Sequence, residues 1–133
     1  MKTEELSEFL ESIGGLENGY YPDKPKITNA YFFDCDSGWN VLLKELIEDL
    51  IELGWNKQVC QVKEKFGGLR FYINEGSDEI YDRLIKAERE SYHICEKCGE
   101  KGELRNDIGW YSTLCENHYI EKKESYGKRN TNV

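Results

Sequence analysis

Four residues toward the C-terminal end have the types and spacing of metal ligands. "CEKC" supplies Cys95 and Cys98, and sixteen residues later "CENH" supplies Cys115 and His118. A two-residue interval lets both members of a pair reach one ion from one tight turn. Thiolate and imidazole are the donors zinc prefers, so the four residues make a complete tetrahedral shell for one Zn2+. Three thiolates and an imidazole leave no open position, whereas catalytic zinc keeps one free beside a general base; a structural ion is expected. His93, two residues before Cys95, is expected at the surface or behind the ligands. Gly99 suits a knuckle turn, "ELRNDIGWYSTL" suits a hairpin around Asn106-Asp107, and "CENHYIEKKESYG" suits a helix. Knuckle, hairpin and helix in that order make a treble-clef-like finger.

A second set of residues lies in "QVCQVKEKFGGLRFYIN", Gln58 to Asn74. With Gly67-Gly68 as a two-residue loop, Phe66 faces Leu69, Lys65 faces Arg70, Glu64 faces Phe71, Lys63 faces Tyr72 and Val62 faces Ile73. Alternation then puts Cys60, Val62, Phe66, Leu69, Phe71 and Ile73 on one face, with Glu64 their only charge. Lys63, Lys65, Arg70 and Tyr72 share the other. That basic tile with an aromatic is the candidate binding face; it suits a phosphate with a stacked ring, or an acidic protein surface. A solvated face that blunts a sheet edge accounts for the same pattern. Asp34 and Asp36 in "FFDCDSGW" could hold a divalent cation with Glu64, but helix capping accounts for Asp36, and a lysine pair or a rim position for Glu64. Gly67-Gly68 lacks the spacing of a phosphate loop. With His118 committed to metal, no Ser/His/Asp or Cys/His set remains, and Cys35 and Cys60 read as small core hydrophobes.

The elements that must position these residues follow from periodicity. The chain has 133 residues, 38% hydrophobic, with nine Tyr, five Phe and three Trp, enough to close the core of one domain carrying a small appendage. Residues 3–13 space Leu6, Phe9, Leu10 and Ile13 as a helix that Gly14-Gly15 stops. A polar loop with two prolines then leads to a short strand around Ile27 to Phe33. "WNVLLKELIEDLIELG" carries Trp39, Leu43, Leu46, Leu50 and Leu53 along one stripe, widened by Leu42, Ile47 and Ile51, with Asp36 or Ser37 as N-cap and Gly54 as stop. Ser77-Asp78-Glu79 opens a helix that turns Ile80, Leu84, Ala87 and Tyr92 inward. The fold class is α+β: a small antiparallel sheet or hairpin packed by two to three helices, with the finger at the C-terminal end. Residues 1–92 form the α+β domain around a central hairpin 57–74, residues 93–126 the finger packed on it, and residues 127–133 a frayed tail.

Charge and cysteine usage limit the function classes. A net charge of −8 opposes wholesale binding to a phosphate backbone, so a nucleic-acid binder must localise its cations. Five cysteines, four-ligand chemistry at one end and two lone thiols fit a reducing compartment better than a disulfide scaffold. No apolar run reaches membrane-spanning length and the acidic, amphipathic N-terminus reads as a helix, so a cytoplasmic protein, within a host cell, is expected.

The motifs "FDCDSGW", "QVKEKFGGLRFY", "SDEIYDRLIKAERESYHICEKCG" and "GWYSTLC" together resemble a family of small zinc-finger-containing proteins of tailed phages and prophages, over roughly residues 32–118. The resemblance implies that hairpin, following helix and finger form one unit, and that the gene belongs to a mobile element; it implies no particular reaction or ligand. "CEKCGEKGELR" with "LCENH" is also similar to the fingers of the DksA/TraR class, which act on RNA polymerase. Here the fourth ligand is His118 and no long coiled-coil arm precedes the finger. The expected function is a non-enzymatic accessory protein that captures or blocks a host component, either a defence protein or a nucleotide signal. The alternative is a nucleic-acid-binding regulator using the finger, Lys63, Lys65, Arg70 and the basic tail Lys122, Lys123, Lys128 and Arg129. A hydrolase built on Asp34, Asp36 and Glu64 is the third class.

Overall fold

The structure, a computed structural model, describes residues 2–12, 33–57 and 59–131. Helix α1 spans Thr3–Ser12 and buries Leu6 and Leu10 against helix α2, Asn40–Glu52. Ile13, the Gly14-Gly15 stop and all but the last residue of the strand expected from Ile27 to Phe33 lie outside the described residues. A single 3-10 turn, Ser37–Trp39, leads into α2, which buries Trp39, Leu42, Leu43, Leu46, Ile47 and Leu50. Neither Asp36 nor Ser37 caps α2: the N-cap position is Trp39, without a side-chain cap bond. The helix ends where Gly54 takes φ +90°. Its N–H bonds Ile51 O and the next N–H, of Trp55, bonds Leu50 O. That pair is the Schellman arrangement, and it turns Leu53 out to solvent while bringing Trp55 back into the core.

Strands β1 (Phe33–Asp34), β2 (Val59–Lys65) and β3 (Gly68–Ile73) form one sheet in that order. β3 runs antiparallel to β2, but β1 is parallel to it, with Phe33 beside Val62 and Asp34 beside Lys63. The sheet is therefore mixed where an antiparallel one is expected. Helix α3, Asp78–Ser91, starts at an N-cap Ser77 whose hydroxyl accepts from Ile80 N–H, and packs on α2 and along β3. Its Ser91 hydroxyl takes the Leu69 N–H of that strand at 2.9 Å.

The hairpin register differs from the expected one. Lys65 pairs with Gly68, Glu64 with Leu69, Lys63 with Arg70, Val62 with Phe71 and Gln61 with Tyr72. The two-residue loop is Phe66-Gly67, both at positive φ (53° and 84°), as the turn that matches strand twist requires. From Gln61 to Lys65 every pairing moves by two positions, so those residues keep their face but change their opposite number. Two residues change place: Phe66 moves from the core to the exposed tip, and beyond the irregular step Val59, paired with Ile73, takes the buried position while Cys60, expected on the core face, is half-buried. The reason is tertiary: a Cβ on Gly68 would lie 2.5 Å from the Tyr92 hydroxyl, so Gly68 is needed inside the strand and cannot serve the loop.

The finger follows without a linker. Strands β4 (Glu103–Arg105) and β5 (Ser112–Leu114) form its hairpin, and helix α4, Glu116–Thr131, completes it. α4 continues through residues 127–131, where a frayed tail is expected; Gly127 within it is half-buried and lowers helix propensity by only about 1 kcal/mol. Two sockets hold the finger on the domain. At the first, Gly38 N–H donates to Glu96 O (2.7 Å) and Trp39 Nε1 donates to Ile94 O (2.9 Å). At the second, the buried Thr113 hydroxyl donates to Gly67 O at 2.6 Å.

Candidate functional site

The knuckle, the end of β5 and the first turn of α4 bring Cys95, Cys98, Cys115 and His118 together. Their ligand atoms all lie within 4.8 Å of one another. His118 turns Nδ1 inward, 3.1 Å from Cys115 Sγ and 3.6 Å from Cys95 Sγ, and Cys98 Sγ is 3.8 Å from Cys115 Sγ. A tetrahedral ion with sulfur at about 2.3 Å and nitrogen at about 2.0 Å separates its donors by about 3.5–3.8 Å, so the four fit one small four-coordinate metal. Gly99, at φ +83°, closes the knuckle by donating its N–H to Cys95 O. Cys95 is buried and Cys98 exposed, so the ion would sit at the rim, with one thiolate toward water. His93 is exposed and outside the cluster. Among the described residues no other group of His, Cys, Asp and Glu converges in this way.

Asp36 and Glu64 have other roles, and the three carboxylates do not converge as a ligand set. The Asp36 carboxylate pairs with Lys97 at 3.0 Å, and Glu64 Oε2 accepts the Gly67 N–H at 2.7 Å, bracing the hairpin turn. Asp34 is exposed beside Lys63. With Glu96, which accepts the Asp36 N–H at 2.9 Å, they surround Cys35. Burial first, and then these four carboxylates, push the Cys35 thiol up to about 12. Burial also raises the Glu96 carboxyl, with Asp36 and Glu64 adding to it. Cys35 and Cys60 are both half-buried, Cys35 against the main core and Cys60 at the irregular step in β2 between Val59 and Gln61.

Of the tile residues, Lys63, Lys65 and Tyr72 lie on the outward face of the hairpin, with the Lys63 ammonium 6.0 Å from the Tyr72 ring centre. Arg70 is opposite Lys63, not Lys65, and is held by Glu88 of α3 at 2.6 Å. Glu88 also accepts from Tyr92, whose phenol is raised by burial and then by that carboxylate. Arg70 thus acts mainly as a clamp between sheet and α3.

The outward face continues onto the finger through residues the sequence pattern did not single out. Phe66 is 62% exposed and meets Tyr111 edge-on, ring centres 6.3 Å apart; Tyr111, Trp110 and Leu104 are each about half exposed. Lys65 lies over Phe66 at 5.7 Å and Lys122 over Trp110 at 4.8 Å. The available signal was "GWY" in the turn of the finger hairpin, two rings without a periodic apolar partner.

Comparison with family models, curated proteins and solved structures finds no match to this chain. No helix among the described residues is long and apolar enough to cross a membrane.

Proposed function

We propose that this is a non-enzymatic binding protein in which zinc has a structural role and the outward face of the hairpin meets the partner. The single observation behind the reading is that face. Lys63 and Lys65 have no ion pair among the described residues, and Tyr72 and Phe66 stand exposed beside them, in a chain of net charge −8. Three thiolates and one imidazole suit zinc, and a closed shell suits a rivet better than a reaction centre. In the phage or prophage setting that the motifs resemble, the partner is a component of the host cytoplasm, a defence protein or a phosphate-bearing signal, which the protein blocks or sequesters. The test is affinity capture from host lysate with the metal-loaded protein and with a Lys63→Gln, Lys65→Gln, Tyr72→Ala variant of matched fold. A component retained by the first and lost by the second is the expected result; identical captures by both would end the reading.

A further inference from the structure

We propose that the outward hairpin face, continued across the finger turn, is a track for single-stranded nucleic acid. The inference rests on the binding face of the reading above and gives that face a different occupant from the protein or small signal named there. Along the track rings and cations alternate: Tyr72 with Lys63, Phe66 with Lys65, then Tyr111, and Trp110 with Lys122. The four rings are 42%, 62%, 45% and 49% exposed. Burial among the described residues does not account for their position.

Phe66 carries the argument furthest. A non-glycine residue at φ 53° is disfavoured by roughly 1–2 kcal/mol, most of all with a bulky side chain, yet the fold fixes it there. Glu64 holds the Gly67 N–H and Thr113 holds the Gly67 carbonyl, so both sides of the turn are braced and the Phe66 ring is presented at the tip. The register that Tyr92 imposes at Gly68 fixes the strained turn, and the ring it presents stays 62% exposed with only the edge of Tyr111 against it, so a face is left for an outside contact.

The charges select the occupant. Lys63, Lys65 and Lys122 have no carboxylate partner among the described residues, and each lies over an exposed ring of the track, so their charge is available beside those rings. Rings that stack bases, interleaved with cations that follow a phosphate chain, are the two parts of a single-strand platform. A duplex hides its base faces and would meet only three lysines on an acidic protein. An acidic peptide would use the lysines and leave the rings without partners.

Trp110 supplies the readout, because Trp39 and Trp55 are buried and only its emission can be quenched by a stacked base. Metal-loaded protein is titrated with a thymidine strand of roughly twelve nucleotides, within the range single-strand sites cover. A duplex of equal length and an oligoglutamate peptide serve as comparisons. The strand should quench Trp110 and bind at least about tenfold tighter than either comparison, as stacking adds to charge. Log affinity should fall with log salt at a slope of about −2 for three released counterions on a single strand. Phe66→Gly relieves the positive φ, so it keeps the fold, and should weaken the strand about tenfold with the slope unchanged. Lys63→Gln, Lys65→Gln, Lys122→Gln together should flatten the slope. Equal affinity for strand and oligoglutamate, or an unaltered affinity in Phe66→Gly, would overturn the inference. If the strand fails to bind while lysate capture still depends on Lys63, Lys65 and Tyr72, the track is wrong and the binding face stands; if both fail, both are wrong.

Discussion

A thiol surrounded by carboxylates is a poor nucleophile, and Cys35 has Glu96, Asp36, Asp34 and Glu64 around it. Its rise from 9.0 to about 12, with burial the largest cause, makes the thiolate about a thousandfold rarer than in an unfolded chain at the same pH. Alkylation of the metal-loaded protein near pH 8 should therefore modify Cys60, whose thiol burial raises less, well before Cys35. Mass mapping of the labelled peptides gives the order, and early modification of Cys35 would mean this corner is open. The same shift has a sign for stability. The folded state holds the proton that the unfolded chain releases above about pH 9, so Cys35's contribution is intact below that pH. It is lost as pH rises toward 12. Alkaline pH therefore destabilises the fold at this corner, because the folded thiol can ionise only against its burial and the four ionised carboxylates.

At the scale of elements, the 3-10 turn before α2 and the turn of the β2–β3 hairpin are the sockets of the finger, and each depends on a glycine. A Cβ on Gly38 would lie 2.2 Å from Cys95 O and 2.3 Å from Glu96 O, and backbone atoms at a ligand-bearing knuckle have nowhere to go. Gly38→Ala should cost about 1–3 kcal/mol, as overpacking does, and speed metal loss to a chelator. A melting curve and a chelation time course measure both; unchanged metal release would show that the knuckle is not held by this turn. The helices α2 and α3 were legible because their apolar stripes and the Ser77 cap act locally, within a few residues. The ligand set was legible because its spacing is itself the chemistry. The hairpin loop was not, because the choice between Gly67-Gly68 and Phe66-Gly67 is made by Tyr92, which needs room at Gly68, from a helix more than twenty residues away. The parallel pairing of β1 was hidden for the same reason: Phe33 and Val62 are far apart in the chain and meet in a core they share with α2, which no local pattern encodes. Trp110 and Tyr111 were missed because residues in a turn have no period to betray which side they take.

At the scale of the molecule, the described residues form two cores of very different size. The larger joins α1, α2, the sheet and α3 around Trp39, Leu43, Leu46, Ile47, Leu50 and Val62, while the finger buries Cys95, Ile108 and Leu114, with Cys115 and Tyr119 at their edge. Three buried apolar residues cannot offset the ordering of a segment this long, so an ion held by the four clustered ligands, together with the two sockets, is expected to stabilise the finger. Removing the ion should then unfold it without unfolding the rest. Cys98→Ser tests this cleanly, because Cys98 is exposed and its loss leaves no cavity in either core. The variant should lose its one bound ion. Hydrogen exchange should show the amides of residues 94–119 losing protection, while those of α2 and of β3 from Arg70 to Ile73 keep most of theirs. The hairpin tip decides between this view and a single cooperative unit. Without Thr113 on the Gly67 carbonyl, Phe66 is free to leave positive φ, so protection should also fall at Gly67 and Gly68. Loss confined to the finger would mean that the tip is fixed by its own strands. Loss extending evenly through α2 and α3 would mean that the metal holds the whole fold.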